Sequence, residues 1–172
     1  MSPEQAATTA AIARLSAEMR DDRGAMRRRL ADLDDAEARL AKSPDDTAAR
    51  ALLAWALHGW YTALESLLER VARQIDAEVP TGDRWHRALL AQVSVEVPGV
   101  RPPVLAGTSR RDLEELLAMR HFLRHAYGSD LDGAKLTAQA ARLRAVAPSV
   151  DAALDAFDGF LGDTMREAGL RE

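Results

Sequence analysis

"ALHGWYTALESLLERVARQID", residues 56–76, decides the fold. Together with Leu53 just before it, Leu57, Trp60, Leu64, Leu67, Val71 and Ile75 recur at three- and four-residue steps. Such spacing paints a broad apolar stripe down one side of an α-helix about six turns long. Upstream, Ser43-Pro44-Asp45-Asp46 ends a first helix and caps this one. That first helix opens with Ser2 as cap, Pro3 at the first helical position and Gln5 completing a capping box. Its apolar residues repeat every seven (Ile12, Met19, Met26, Leu33, Leu40), with Leu15 and Leu30 beside them. This narrow seam suits packing along another long helix, and the short connection predicts an antiparallel hairpin.

Downstream, "VPTGD" at 79–83 breaks the chain and a short helix is predicted from Trp85 to Gln92. "VEVPGVRPPVLAGT", residues 95–108, holds three prolines and two glycines and cannot be helical. Ser109, with Asp112 three residues on, reopens a helix that should run to Gly128, a natural left-handed stop. A final helical region after Asp132 carries Leu136, Leu143, Val150, Leu154, Phe157, Leu161 and Met165, and Pro148 should kink or divide it. The expected fold is all-α: an up-and-down bundle of four to five helices with a long N-terminal hairpin, forming one domain over 1–172.

Only 5% of the residues are aromatic while Ala and Leu recur throughout, which favours helices over strands. There is no cysteine, which excludes disulfides, thiol chemistry and a cysteine-held zinc. The opening "MSPEQAATTAAIARL" lacks the basic start and apolar centre of a signal peptide. No apolar run approaches the ~18 residues of a membrane span, so a cytoplasmic protein with no membrane contact is expected. The net charge of −4 hides an asymmetry: residues 84–127 hold seven arginines against four acids, a local basic stretch on an acidic chain.

"RHFLRHAYG", residues 120–128, is the most chemically loaded segment. Leu113, Leu116, Leu117 and Leu123 form one stripe of its helix, and Arg120, Arg124 and Tyr127 fall within that stripe as it nears its end. A charged group on a buried stripe is costly unless paired or reached by solvent through a cleft, so the pattern points to a functional pocket. His121 and His125, four apart, could chelate a metal, but no HExxH pattern or cysteine supports them and no metal site is expected. Arg120 and His125 lie about 140° apart on an ideal helix. Either the helix is distorted near its end or the site is shared across a two-fold dimer, in which the leucines of this helix would help bury the interface. Trp55, Trp60 and Trp85, in the company of Leu and Ala, are expected in the core or an interface rather than as base-stacking surfaces.

Arg120, four residues, His125, Ala126 and Tyr127 resemble the R-x4-H-x-Y motif of the HEPN superfamily, and more closely the HepT-like ribonuclease toxins of bacterial toxin–antitoxin pairs. His121, directly after the arginine, sits where that family favours Asn, Asp or His. The segments "DRWHRALLAQ" and "VPGVRPPVL" are similar in the same order, so the resemblance covers roughly residues 50 to 135. It implies a homodimer with the motif at a shared cleft, RNA cleavage that needs no metal or other cofactor, and neutralisation by a nucleotidyltransferase-like antitoxin. By the resemblance His125 moves the proton and Arg120 stabilises the phosphate. Arg124 and His121 bind RNA backbone or orient His125, and Tyr127 can be modified with AMP by the antitoxin. Glu65 and His58 match polar positions of the family stretch and would support the site from behind. A non-catalytic RNA- or nucleotide-binding module and a helical adaptor stay open as alternatives.

Overall fold

A computed structural model describes residues 2–125 and 132–170. Among the described residues it holds five α-helices: α1 (Pro3–Lys42), α2 (Thr47–Val71), α3 (Trp85–Val93), α4 (Arg110–His125) and α5 (Gly133–Leu170). The described residues include no strand beyond an isolated bridge between Val97 and Arg101. The all-α bundle is thus the observed architecture. No helix of the described residues is long and apolar enough to cross a membrane.

Local chemistry places the helix ends where the sequence signals them. The Ser2 hydroxyl accepts from the Gln5 amide N–H at 3.2 Å, and the Ser2 N–H donates to the Gln5 side chain at 2.6 Å. This reciprocal box satisfies two donors that the first turn leaves orphaned. Asp46 caps α2 by accepting from the Ala49 N–H at 2.9 Å, and the Ser109 hydroxyl accepts from the Asp112 N–H at 3.3 Å at the start of α4. Pro148 does not divide α5, which runs unbroken past it. Val146, Ala147 and Val150 are buried around the proline, and their packing holds the helix across the hydrogen bond it cannot make.

The chain divides into two compact units, to which α1, α2 and α5 each contribute a stretch. The first comprises Met1–Asp22, Ser66–Thr108 and Ser149–Glu172. Its core draws Leu15 and Met19 from α1, Leu67 and Val71 from α2, Leu89 and Val93 from α3, and Leu154 and Phe157 from α5. Arg70 of α2 bonds Asp22 of α1 at 3.0 Å and pairs with Glu18 at 3.3 Å.

α2 closes in this unit with a π turn (Ala72–Asp76), ending on Ala77 in the left-handed region at φ 56°. That turn carries Asp76 to Arg101, whose side chain is fully buried. Arg101 Nε and Nη2 each meet a carboxylate oxygen of Asp76 at 2.7 Å, while its remaining protons go to the carbonyls of Val95, Pro102 and Gln92. Gln92 adds a 2.7 Å bond to the same carboxylate. The proline-rich segment is therefore pinned by side chains where it has no helix to hold it. Burial pushes the Asp76 carboxyl up, but the bonds from Arg101 and Gln92 and the Arg101 charge outweigh it and hold it below its usual range.

The second unit comprises Arg23–Glu65 and Ser109–Pro148. Met26 and Leu33 of α1, Leu53, Leu57, Trp60 and Leu64 of α2, Leu113, Leu116 and Leu117 of α4, and Leu136 and Leu143 of α5 are all buried. Within this unit the hairpin runs antiparallel: the Arg29 guanidinium of α1 lies 5.3 Å from the Trp55 ring centre, while Arg39, near the end of α1, bonds Asp46 at the start of α2 at 3.1 Å. Leu113, Leu116 and Leu117 of α4 are covered within the chain itself, whereas Leu123 is half-buried. Trp60 is core as expected, Trp85 is half-buried against the His86 ring, and Trp55 is 57% exposed, contrary to a core placement.

Candidate active site

The site grows from one side of α2. His58, Tyr61, Thr62 and Glu65 fall at steps of three, four and seven, so they share a face beside the apolar stripe. Across from that face stands Arg120 of α4, 8% exposed although its stem leaves the helix among leucines. Its guanidinium is held at two points: Nη2 lies 3.0 Å from Glu65 Oε2, and Nε donates to Thr62 Oγ1 at 3.3 Å. Both side chains of the ion pair are less than a tenth exposed, which puts the pair in the range where losing one partner leaves a costly bare charge. The third nitrogen, Nη1, is buried with no hydrogen-bond partner among the described residues.

Tyr61 is buried beside this pair. Burial first, then the carboxylates of Glu65 and Glu114, push its phenol far up, against the opposing pull of Arg120. It remains a neutral hydroxyl at any working pH. A guanidinium oriented by Glu65 and Thr62, with its Nη1 unmatched among the described residues, can present a fixed positive fork to an oxyanion.

Of the residues expected from the sequence, Arg120 and Glu65 are in direct contact, with Glu65 behind the arginine at 3.0 Å. His58 lies half-buried on the same face of α2. The backbone of His121, Arg124 and His125 belongs to α4, which is regular α-helix to His125; their side chains, and Tyr127 as a whole, lie outside the described residues. Thr62 and Tyr61 went unnoticed in the sequence, although the spacing of His58, Thr62 and Glu65 along an apolar helix was the available signal.

The basic stretch is divided between the core and the surface. Arg101 is buried against Asp76, Arg120 is paired with Glu65, and Arg110 is bonded to Glu114 at 2.9 Å. Arg101 and Arg120 are spent inside the fold, whereas Arg84, Arg87, Arg110 and Arg111 are exposed and keep their charge at its surface.

The family model described as HepT-like protein matches residues 52–161, which takes in most of α2, all of α3 and α4, and most of α5. Among curated proteins and among solved structures, nothing matches the chain. The matched segment spans well over half of the sequence and contains Thr62, Glu65, Arg120 and His125. The chain belongs to the HepT-like proteins of the HEPN superfamily.

Proposed function

We propose that this protein is a metal-independent endoribonuclease toxin whose site is built on Arg120 and His125. The observation that carries the reading is the state of Arg120: buried, oriented from two sides, and with its Nη1 unmatched among the described residues. An unmet buried donor costs about 1–3 kcal/mol, and a fold that keeps one beside a rigidly held cation has a ready place for a ligand oxygen.

The chemistry needs little more. A neutral imidazole at His125 takes the proton of a ribose 2′-hydroxyl, and the resulting oxygen attacks the adjacent phosphorus. Arg120 stabilises the negative charge that develops on the non-bridging oxygens. The P–O bond to the 5′ oxygen breaks, that oxygen is reprotonated, and a 2′,3′-cyclic phosphate remains. His121 and Arg124, on the same helix, would bind the flanking backbone or orient His125.

With α4 helical through His125, the two motif residues lie about 140° apart on its ideal wheel, and one helix does not aim both at a single phosphate. Two chains sharing a cleft supply the alternative, so the working form is a homodimer. The partner that silences it is a nucleotidyltransferase-type antitoxin. AMP added to Tyr127 by that partner would set a phosphate beside Arg120 and occupy the place of the RNA phosphate.

Cleavage of cellular RNA by the purified chain should persist in EDTA and yield cyclic-phosphate ends. Arg120→Ala and His125→Ala should each lose it, by about a hundredfold or more for the arginine, while remaining folded. Strict dependence on a divalent cation would overturn the mechanism. Full silencing of a Tyr127→Phe variant by the antitoxin would overturn the modification. The Arg120–Glu65 pairing favours one rival reading, a module that binds RNA without cutting it. Tight binding by the wild-type chain with no cleavage of any RNA would establish that reading instead.

A further inference from the structure

Trp55 is the largest exposed apolar side chain among the described residues, and its ring already carries a stacked cation, the Arg29 guanidinium at 5.3 Å. The arrangement is built rather than incidental. Arg29 reaches Trp55 by laying its stem across Gly59, one turn along α2, where a Cβ would meet the Arg29 Cδ at 2.7 Å. Asp32 anchors the same guanidinium at 2.6 Å. Gly59 thus provides the channel and Asp32 the tether that hold a flat cation on one aromatic ring.

Register connects this pair to the candidate active site. Trp55 and Thr62 are seven residues apart, two turns, so they lie on nearly the same line of α2 and about 10 Å apart along its axis. Thr62 touches Arg120. Between Ala51 and Leu64 the helix has no acidic residue, and its titratable side chains there are His58 and Tyr61. Arg28, next to Arg29 on α1, is exposed. A polyanionic strand lying on this face meets no opposing carboxylate from α2 until the buried and already paired Glu65.

We infer that Trp55, with Arg29 stacked on its ring, is a base-stacking subsite for single-stranded RNA, within about three stacked nucleotides (~3.4 Å each) of the phosphate held by Arg120. Every base has a π face, so such a platform favours unpaired strands without choosing a sequence. An exposed ring covered on one side by a guanidinium offers its open side to a base, and the cation lies close to the phosphates that flank it. The inference rests on the ribonuclease reading for its ligand, yet it concerns binding rather than cleavage.

The two separate experimentally with a probe that cannot be cut: a short single-stranded RNA carrying 2′-O-methyl groups. Trp55→Ala should weaken its binding by roughly 5- to 100-fold, the loss expected for one stacked base. Trp55→Phe should keep most of the affinity. Gly59→Ala, which displaces Arg29 and leaves the ring, should give an intermediate loss. Binding of inorganic polyphosphate, which has no bases, should be the same in wild type and Trp55→Ala.

Unchanged affinity of Trp55→Ala for the probe overturns the assignment, as does failure of the wild-type chain to bind it in low salt. A change in sedimentation behaviour of Trp55→Ala with no change in RNA affinity also overturns it, and gives the surface to a protein contact. If the wild type cuts no RNA but Trp55 still governs probe binding, the cleavage reading fails alone. If cleavage is intact and Trp55→Ala binds the probe like wild type, the stacking subsite fails alone.

Discussion

Replacing Glu65 with alanine strands the Arg120 guanidinium. In the native protein that cation keeps two contacts, Glu65 at 3.0 Å and Thr62 at 3.3 Å, and its Nη1 has no partner among the described residues. Glu65→Ala leaves a single long bond to a neutral hydroxyl. With the two side chains only 9% and 8% exposed, solvent does little to screen the charge. The expected loss is that of one partner of a buried pair, about 3–5 kcal/mol. For a chain of this length each kcal/mol moves the melting midpoint by about 2–4 °C, so the transition should fall by roughly 6–20 °C.

Glu65→Gln, which keeps an acceptor oxygen but not the charge, should cost less, about 1–3 kcal/mol. Combining Glu65→Leu with Arg120→Met should recover most of the stability, because an apolar pair fills the space without desolvating charges. Urea titrations read by circular dichroism would measure all of these, provided the slope stays constant and only the midpoint moves. A loss below about 1 kcal/mol for Glu65→Ala would refute the reasoning, since that is how a solvated surface pair behaves. Well below its melting transition, Glu65→Ala should also lose cleavage, because the arginine is no longer aimed.

Further outcomes concern the motif pair and the Asp76–Arg101 bridge. Mixing Arg120→Ala chains with His125→Ala chains should restore part of the ribonuclease activity if the cleft is shared, and an active strict monomer would exclude that arrangement. Asp76→Ala should destabilise the first unit by about 3–5 kcal/mol by stranding Arg101. The Asp76 carboxyl is held below its unfolded value, so its contribution is full above that value and is lost as pH falls through the lower folded one. Acid unfolding that sets in below about pH 4 in wild type should be blunted in Asp76→Asn.

Local chemistry made most of the fold legible. Ser2 and Gln5, Asp46, and the stripe from Leu53 to Val71 act within a few residues of themselves, and the structure uses them as they read. Arg120 was legible too, as a charge standing on an apolar stripe. Its partner was not, because Glu65 lies 55 positions earlier and only packing of α4 on α2 brings the two together. Arg101 misled for the same reason: in a loop it reads as surface charge, and nothing near it announces that Asp76 will bury it. Pro148 leaves α5 undivided, because tertiary packing on both sides outweighs one absent hydrogen bond. Trp55 is the instructive case. The periodicity that buries Leu53, Leu57 and Trp60 places Trp55 on the opposite side of α2, so the wheel held the answer that residue type obscured.

The π turn at the end of α2 has a bearing on how this chain can change over generations. A π turn spends one more residue per hydrogen-bonded loop than an α turn, so it behaves as an accommodated single-residue insertion. Deleting one residue within Ala72–Asp76 would let α2 close as ordinary helix, rotating the Asp76 carboxylate away from Arg101 and releasing the proline-rich segment with it. Length variation among descendants of this sequence is therefore closed off between 72 and 76, whatever residues occupy those positions. It stays open at Gly82, where the space beside the backbone is empty.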